Sequence, residues 1–165
     1  MRIGIYPGTF DPVTMGHLDI ITRSLNLVDR LIVAVVKPST KKTIFGIQER
    51  IDMIKSSIPR DLPIIIESLD GLLVDFARDR KATVVIRGLR ALSDFEYEFQ
   101  MALMNRRLQP DLEVIFMVPD ISYIYLSGSL VREVAELGGD IETLVPDAVK
   151  KKLKAKFGRK KGENR

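Results

Sequence analysis

The chain has 165 residues, 45% of them hydrophobic and 29% charged, with one histidine and no cysteine; that suits one soluble domain with a real core. It excludes a disulfide framework, a thiolate metal site and a cysteine nucleophile, and no apolar run reaches the ~18 residues of a membrane span. The net charge of +4 is uneven: residues 150–165 hold nine Lys/Arg against one acid, while residues 1–149 hold seventeen basic and twenty-one acidic residues.

The chain enters an apolar run at 3–6 with no charged leader before it, so a cytoplasmic protein is expected. Pro7 removes a ladder donor and Gly8 tolerates turn dihedrals, which ends the first strand. Thr14 is placed to cap a helix from Met15, in which Leu18, Ile21 and Leu25 recur at helical spacing. His17 then falls in the first turn, beside free backbone N–H groups that favour anions. Strand, loop and helix together describe a phosphate site.

Further strands are expected at 31–36, 62–66, 83–86 and 113–118, and helices near 15–28, 46–58, 71–80, 92–108 and 128–137. In the second helix Ile47, Ile51, Ile54 and Ile58 form one stripe, stopped by Pro59. The strands are Val/Ile runs without clean alternation, as in parallel strands covered on both faces. The order predicts an α/β protein, a doubly wound sheet of about five parallel strands flanked by helices. Ligands of such sheets bind beyond the carboxyl ends of the strands, near the switch in strand order.

The loops after those strands carry anion-binding chemistry: Gly8 to His17; Lys41, Lys42 and Thr43; Arg87-Gly88-Leu89-Arg90; and Tyr123 to Ser129, where Ser127-Gly128-Ser129 opens the next helix. Glu67 to Gly71 is read as the loop after the third strand. In the 92–108 helix, Leu92, Phe95, Phe99, Ala102 and Leu103 mark a face to pack on the sheet. Tyr97, Met101, Met104 and Leu108 mark a second face, for another subunit. The motifs G-x-x-x-x-G-K-[ST], G-x-G-x-x-G and G-x-S-x-G are absent. One histidine and no cysteine argue against a protein zinc site.

Thr14-Met15-Gly16-His17 is a T-x-G-H form of the H-x-G-H motif of nucleotidyltransferases. With Tyr6-Pro7-Gly8-Thr9-Phe10-Asp11-Pro12, Lys41, Arg87-Gly88-Leu89-Arg90, Asp94-Phe95-Glu96-Tyr97-Glu98 and the turn before Leu130-Val131-Arg132, residues 2–150 resemble the bacterial phosphopantetheine adenylyltransferases. The resemblance implies a Rossmann-like domain that transfers AMP from ATP to 4′-phosphopantetheine, releasing pyrophosphate and dephospho-coenzyme A in coenzyme A synthesis. It implies His17 stabilising the transition state at the α-phosphate, with Thr9 near the reacting phosphates and Phe10 contacting substrate. Lys41 and Arg87 would hold the acceptor phosphate and Leu73 would line its channel. Gly88, Leu89, Arg90, Glu98 and Tyr123, Ile124, Tyr125, Leu126, Ser127, Gly128 and Ser129 would bind ATP. It also implies a homohexamer. Gly128 departs from the family's serine-rich turn, losing a hydroxyl and keeping the backbone N–H.

The implied chemistry agrees with the residues. A phosphate oxygen attacking the α-phosphorus is already ionised, so fixed cations and N–H donors suffice. Mg²⁺ would ride on the phosphates and no protein metal site is expected. Residues 1–157 are read as one catalytic domain and 158–165 as a basic, disordered tail, with no nucleic-acid or membrane partner. Two other readings stay open: a related transferase using an acceptor such as nicotinamide mononucleotide, and a nucleotide-sensing or nucleic-acid-binding module that uses the tail.

Overall fold

A computed structural model describes residues 1–37 and 42–158, apart from the side chains of Leu92 and Ser93. Lys41 and the tail beyond residue 158 lie outside the described residues. Five strands, β1 (Ile3–Gly8), β2 (Arg30–Val36), β3 (Ile64–Leu69), β4 (Val84–Gly88) and β5 (Glu113–Met117), form one sheet in the order β3-β2-β1-β4-β5. Every pairing is parallel. The helices are α1 (Met15–Ser24), α2 (Ile47–Lys55), α3 (Leu73–Asp79), α4 (Leu92–Leu108), α5 (Gly128–Glu136) and α6 (Asp147–Phe157). The Rossmann-like, doubly wound expectation holds, and its switch point lies between β1 and β4.

Period-two alternation along β2 divides the interior into two layers. Leu31, Val33 and Val35 join the layer that includes Ile20 and Ile21 of α1, Ile51 and Ile54 of α2, Val131 of α5 and Leu153 of α6. Ile32 and Ala34 join the opposite layer with Val74, Phe76 and Ala77 of α3.

Several elements differ from expectation. β1 continues through Pro7 and Gly8. Its ladder to β4 stops at Ile5, and the Pro7 carbonyl instead accepts from Arg87 Nη1 at 3.0 Å. The donor that proline lacks would point to that same side, so none is missed. β3 spans Ile64–Leu69 rather than 62–66, taking Glu67 and Ser68 into the strand, because it is a sheet edge with one side open. α2 stops before Ile58, where Ser56 and Ser57 bond back to the carbonyls of Asp52 and Met53. α6 closes the stretch read as the catalytic domain, where no helix was expected. Val149 and Leu153 anchor it in the core while its lysines face outward.

The largest correction concerns α4. Its face toward the body is marked by buried Asn105 and partly buried Asp94, Glu98 and Ala102. Phe95, Phe99 and Leu103, expected to pack on the sheet, are exposed, as are Tyr97, Met101, Met104 and Leu108. Of the first face Phe95 touches the sheet, its ring edge-on to Phe116 of β5 with centroids 5.9 Å apart, and most of both apolar faces stays exposed.

Candidate active site

The loop leaving β1 is shaped by Phe10, whose φ of 48° lies in the left-handed region, a cost on the order of 1 kcal/mol for a bulky residue. That turn buries its ring edge-on to Tyr6 and to His17, with centroids 5.4 and 5.1 Å apart. Gly8 permits it, since a Cβ there would stand 2.8 Å from the Phe10 ring. Arg50, only 2% exposed, reaches up from α2 beneath the loop and donates to the carbonyls of Thr9 at 2.6 Å, Val36 at 2.9 Å and Phe45 at 3.2 Å.

Thr14 caps α1 as its sequence position predicts, within a reciprocal capping box whose other member is His17. The Thr14 amide donates to His17 Nδ1 at 3.0 Å. A backbone N–H is always a donor, so Nδ1 is the acceptor and the ring proton sits on Nε2. Burial of the ring, reinforced by the nearby Arg90 guanidinium, pushes its pKa down to about 4. His17 is thus a neutral donor at neutral pH.

His17 lies against a polar cavity of about 270 Å³ at the carboxyl end of the sheet. Thr9, Phe10, Arg87, Gly88, Arg90, Glu98, Ser127, Gly128 and Ser129, all singled out from the sequence, line it with Asp11, Lys42, Thr43, Asp94 and Arg132. Arg87 makes a two-pronged pair with Glu98, its Nε standing 2.6 Å from Oε2. Arg90 Nε lies 3.4 Å from Asp94. Ser127 caps α5, accepting from the Leu130 amide at 3.0 Å, so the remaining amides of that first turn lie beside the cavity.

A second cavity, about 440 Å³, adjoins the first through Pro7, Gly8, Thr9, Arg87 and Glu98. Its remaining lining is mainly apolar, with Leu69, Leu72, Leu73, Met101, Ala102 and Val114. Leu73 is therefore in this channel, apart from the polar cavity. Glu98, assigned with the nucleotide group, sits at the junction and faces both.

Leu89, Tyr123, Ile124, Tyr125 and Leu126 line neither cavity. The segment that carries residues 123–126 is held from outside. The Leu126 carbonyl accepts from Arg90 Nη1 at 3.2 Å, and Asp19 and Arg23 of α1 hold the Asp120 amide and the Val118 carbonyl, each at 2.9 Å. Arg132, Asp11 and Arg50 carry no role that the sequence discloses by itself. Arg132 comes nearest to a signal, one turn into a helix opened by a Ser-Gly-Ser phosphate turn. The other two act through contacts remote in sequence.

The chain resembles known proteins across this region and beyond. Residues 5–134 match the cytidylyltransferase-like family. The phosphopantetheine adenylyltransferase of Geotalea daltonii is 54% identical over 159 residues, covering 96% of this chain and 99% of its own. That of Moorella thermoacetica is 48% identical over 159 residues, with the same coverage. That of Caldanaerobacter subterraneus is 51% identical over 158 residues, covering 95% and 98%.

Proposed function

Because this chain belongs to the phosphopantetheine adenylyltransferases of the cytidylyltransferase-like family, we propose that it transfers AMP from ATP to 4′-phosphopantetheine, giving dephospho-coenzyme A and pyrophosphate for coenzyme A synthesis. The observation that carries this reading is the neutral His17, its Nδ1 held by Thr14, in a cavity that also holds Arg87, Arg90, Lys42 and Arg132. Two polyanions have to be brought together there and charge on the α-phosphoryl oxygens stabilised, which is a task of positioning and electrostatics.

The triphosphate lies along Arg90, Arg132 and the first turn of α5, with Ser127, Gly128 and Ser129 as donors. His17 Nε2–H donates to an α-phosphoryl oxygen as negative charge develops. Arg87, with Lys41 and Lys42, holds the acceptor phosphate, whose ionised oxygen forms the new P–O bond as the bond to pyrophosphate breaks. No covalent enzyme intermediate and no general base are required. The apolar channel past Leu73 supports an acceptor with a long uncharged arm over a compact nucleotide.

The donor set fits a magnesium ion carried by the nucleotide better than one caged by protein: Asp11, Asp94 and Glu98, the cavity's carboxylates, are each paired with an arginine. Such an ion supplies charge neutralisation on the phosphates and keeps most of its waters. Self-association through α4, up to the family's hexamer, would cover side chains such as Tyr97 and Leu103, 63% and 54% exposed. No helix among the described residues is long and apolar enough to cross a membrane. Residues 1–157 act as one catalytic unit in the cytoplasm, and removing residues 158–165 leaves turnover intact.

Pyrophosphate release from Mg·ATP, with 4′-phosphopantetheine and nicotinamide mononucleotide as separate acceptors, tests the reading. Turnover with the first alone, lost in His17→Ala, is expected. Turnover with neither, from folded protein that binds ATP, rejects it.

A further inference from the structure

Asp11 is 4% exposed in the loop between β1 and α1, and the transfer chemistry above gives its side chain no task. Its carboxylate nevertheless holds two other segments. Oδ1 accepts from the Phe45 amide at 3.0 Å and Oδ2 from the Ile44 amide at 2.9 Å. Arg132 Nη1 lies 3.3 Å from Oδ2 and also donates to the Asp11 carbonyl. Arg132 Nη2 in turn reaches Ser129 Oγ, 3.1 Å away in the first turn of α5. One side chain thus joins the stretch entering α2, where Lys42 and Thr43 line the cavity, to the helix on its other wall. Both ends of the junction are braced. The Phe45 carbonyl is held by Arg50 Nε, and a Cβ on Gly128 would stand 3.0 Å from the Asp11 carbonyl oxygen. Hydrogen bonds to an ionised group are roughly twice as strong as neutral ones, and a satisfied buried network selects one arrangement of its members.

Resting on the functional reading above, we infer that Asp11 is a positioning residue that registers residues 42–45 against the first turn of α5. It thereby fixes the separation between the acceptor phosphate and the α-phosphate of ATP. Without its carboxylate each side keeps its own donors, Arg87 and Lys42 on one and His17 and Arg90 on the other; what is lost is registry. In-line attack depends on registry, because a misplacement of about 1 Å costs on the order of 10²-fold in rate.

Asp11→Asn preserves size while removing the charge and one acceptor. Single-turnover product formation, with ATP and 4′-phosphopantetheine each titrated, separates binding from the chemical step. The rate is expected to fall by roughly 10²-fold, with each substrate's Kd changed by less than about threefold, as for an interaction used only in the transition state. Hydrogen exchange at the Ile44 and Phe45 amides is expected to accelerate. An unchanged rate, or a loss confined to one substrate's Kd, overturns the inference. If Asp11→Asn does not fold, Asp11→Glu, which keeps the charge one methylene further out, is expected to lose rate in the same way; wild-type rate in that variant overturns it. Wild-type protein inert toward 4′-phosphopantetheine rejects the functional reading and this inference with it, whereas active wild type beside an unaffected variant rejects the inference alone.

Discussion

His17 is the single histidine, so its imidazole signals in an NMR titration overlap with no other. Burial first, and the Arg90 guanidinium second, lower its pKa from 6.5 to about 4, which disfavours the folded imidazolium by roughly 3 kcal/mol. The unfolded chain takes up this proton near pH 6.5 and the folded chain only near 4. Between those values the unfolded state binds more protons, so stability falls as pH drops and the loss levels off below about 4. At pH 5 the loss is about 2 kcal/mol. Denaturant unfolding of wild type and His17→Ala at pH 7.5 and pH 5 isolates it, since carboxylate titrations are common to both proteins. Arg90→Gln is expected to raise the His17 pKa by the smaller part of the shift. A His17 pKa of 6 or above, or a stability gap between the two proteins that does not change with pH, contradicts a buried, neutral His17.

Arg50→Lys keeps the charge but not the fork that serves three carbonyls; a destabilisation of about 2–3 kcal/mol is expected from the denaturant midpoint, and an unmoved midpoint contradicts it. Gly128→Ser places a Cβ 3.0 Å from the Asp11 carbonyl oxygen, so the helix or the loop has to yield. About 1 kcal/mol of misfit raises the KM for ATP roughly fivefold, and an unaltered KM shows the space to be free. Met104→Asp puts a charge on the exposed apolar surface of α4 and is expected to shift sedimentation to smaller species; an unchanged profile places any self-association elsewhere.

What the sequence disclosed followed local rules. Thr14 four residues before Leu18 is decided by neighbours, and the capped helix starts where it was expected, although the strand before it runs on through Pro7 and Gly8. The alternation of Val/Ile runs with amphipathic segments likewise yields the parallel sheet. α4 misled because periodicity reports that a face is apolar without reporting what covers it; Asp94, Glu98 and Asn105 turn toward the body instead. β3 was misplaced because Glu67 and Ser68 read as loop, although an edge strand tolerates polar residues. Arg50 and Asp11 were illegible for another reason. A charged residue in a helix or a turn reads as solvated, and its burial depends on contacts with segments more than 30 residues away, such as Thr9 for Arg50 and Phe45 for Asp11.

The most direct test of direct adenylyl transfer follows the phosphorus itself. ATP radiolabelled at the α-phosphate is incubated with the enzyme, with and without 4′-phosphopantetheine, and the label is traced among small molecules and denatured protein. Label is expected in dephospho-coenzyme A only when the acceptor is present, and none on protein at any time. Label retained on the protein, or ATP converted to AMP at the same rate without acceptor, contradicts it.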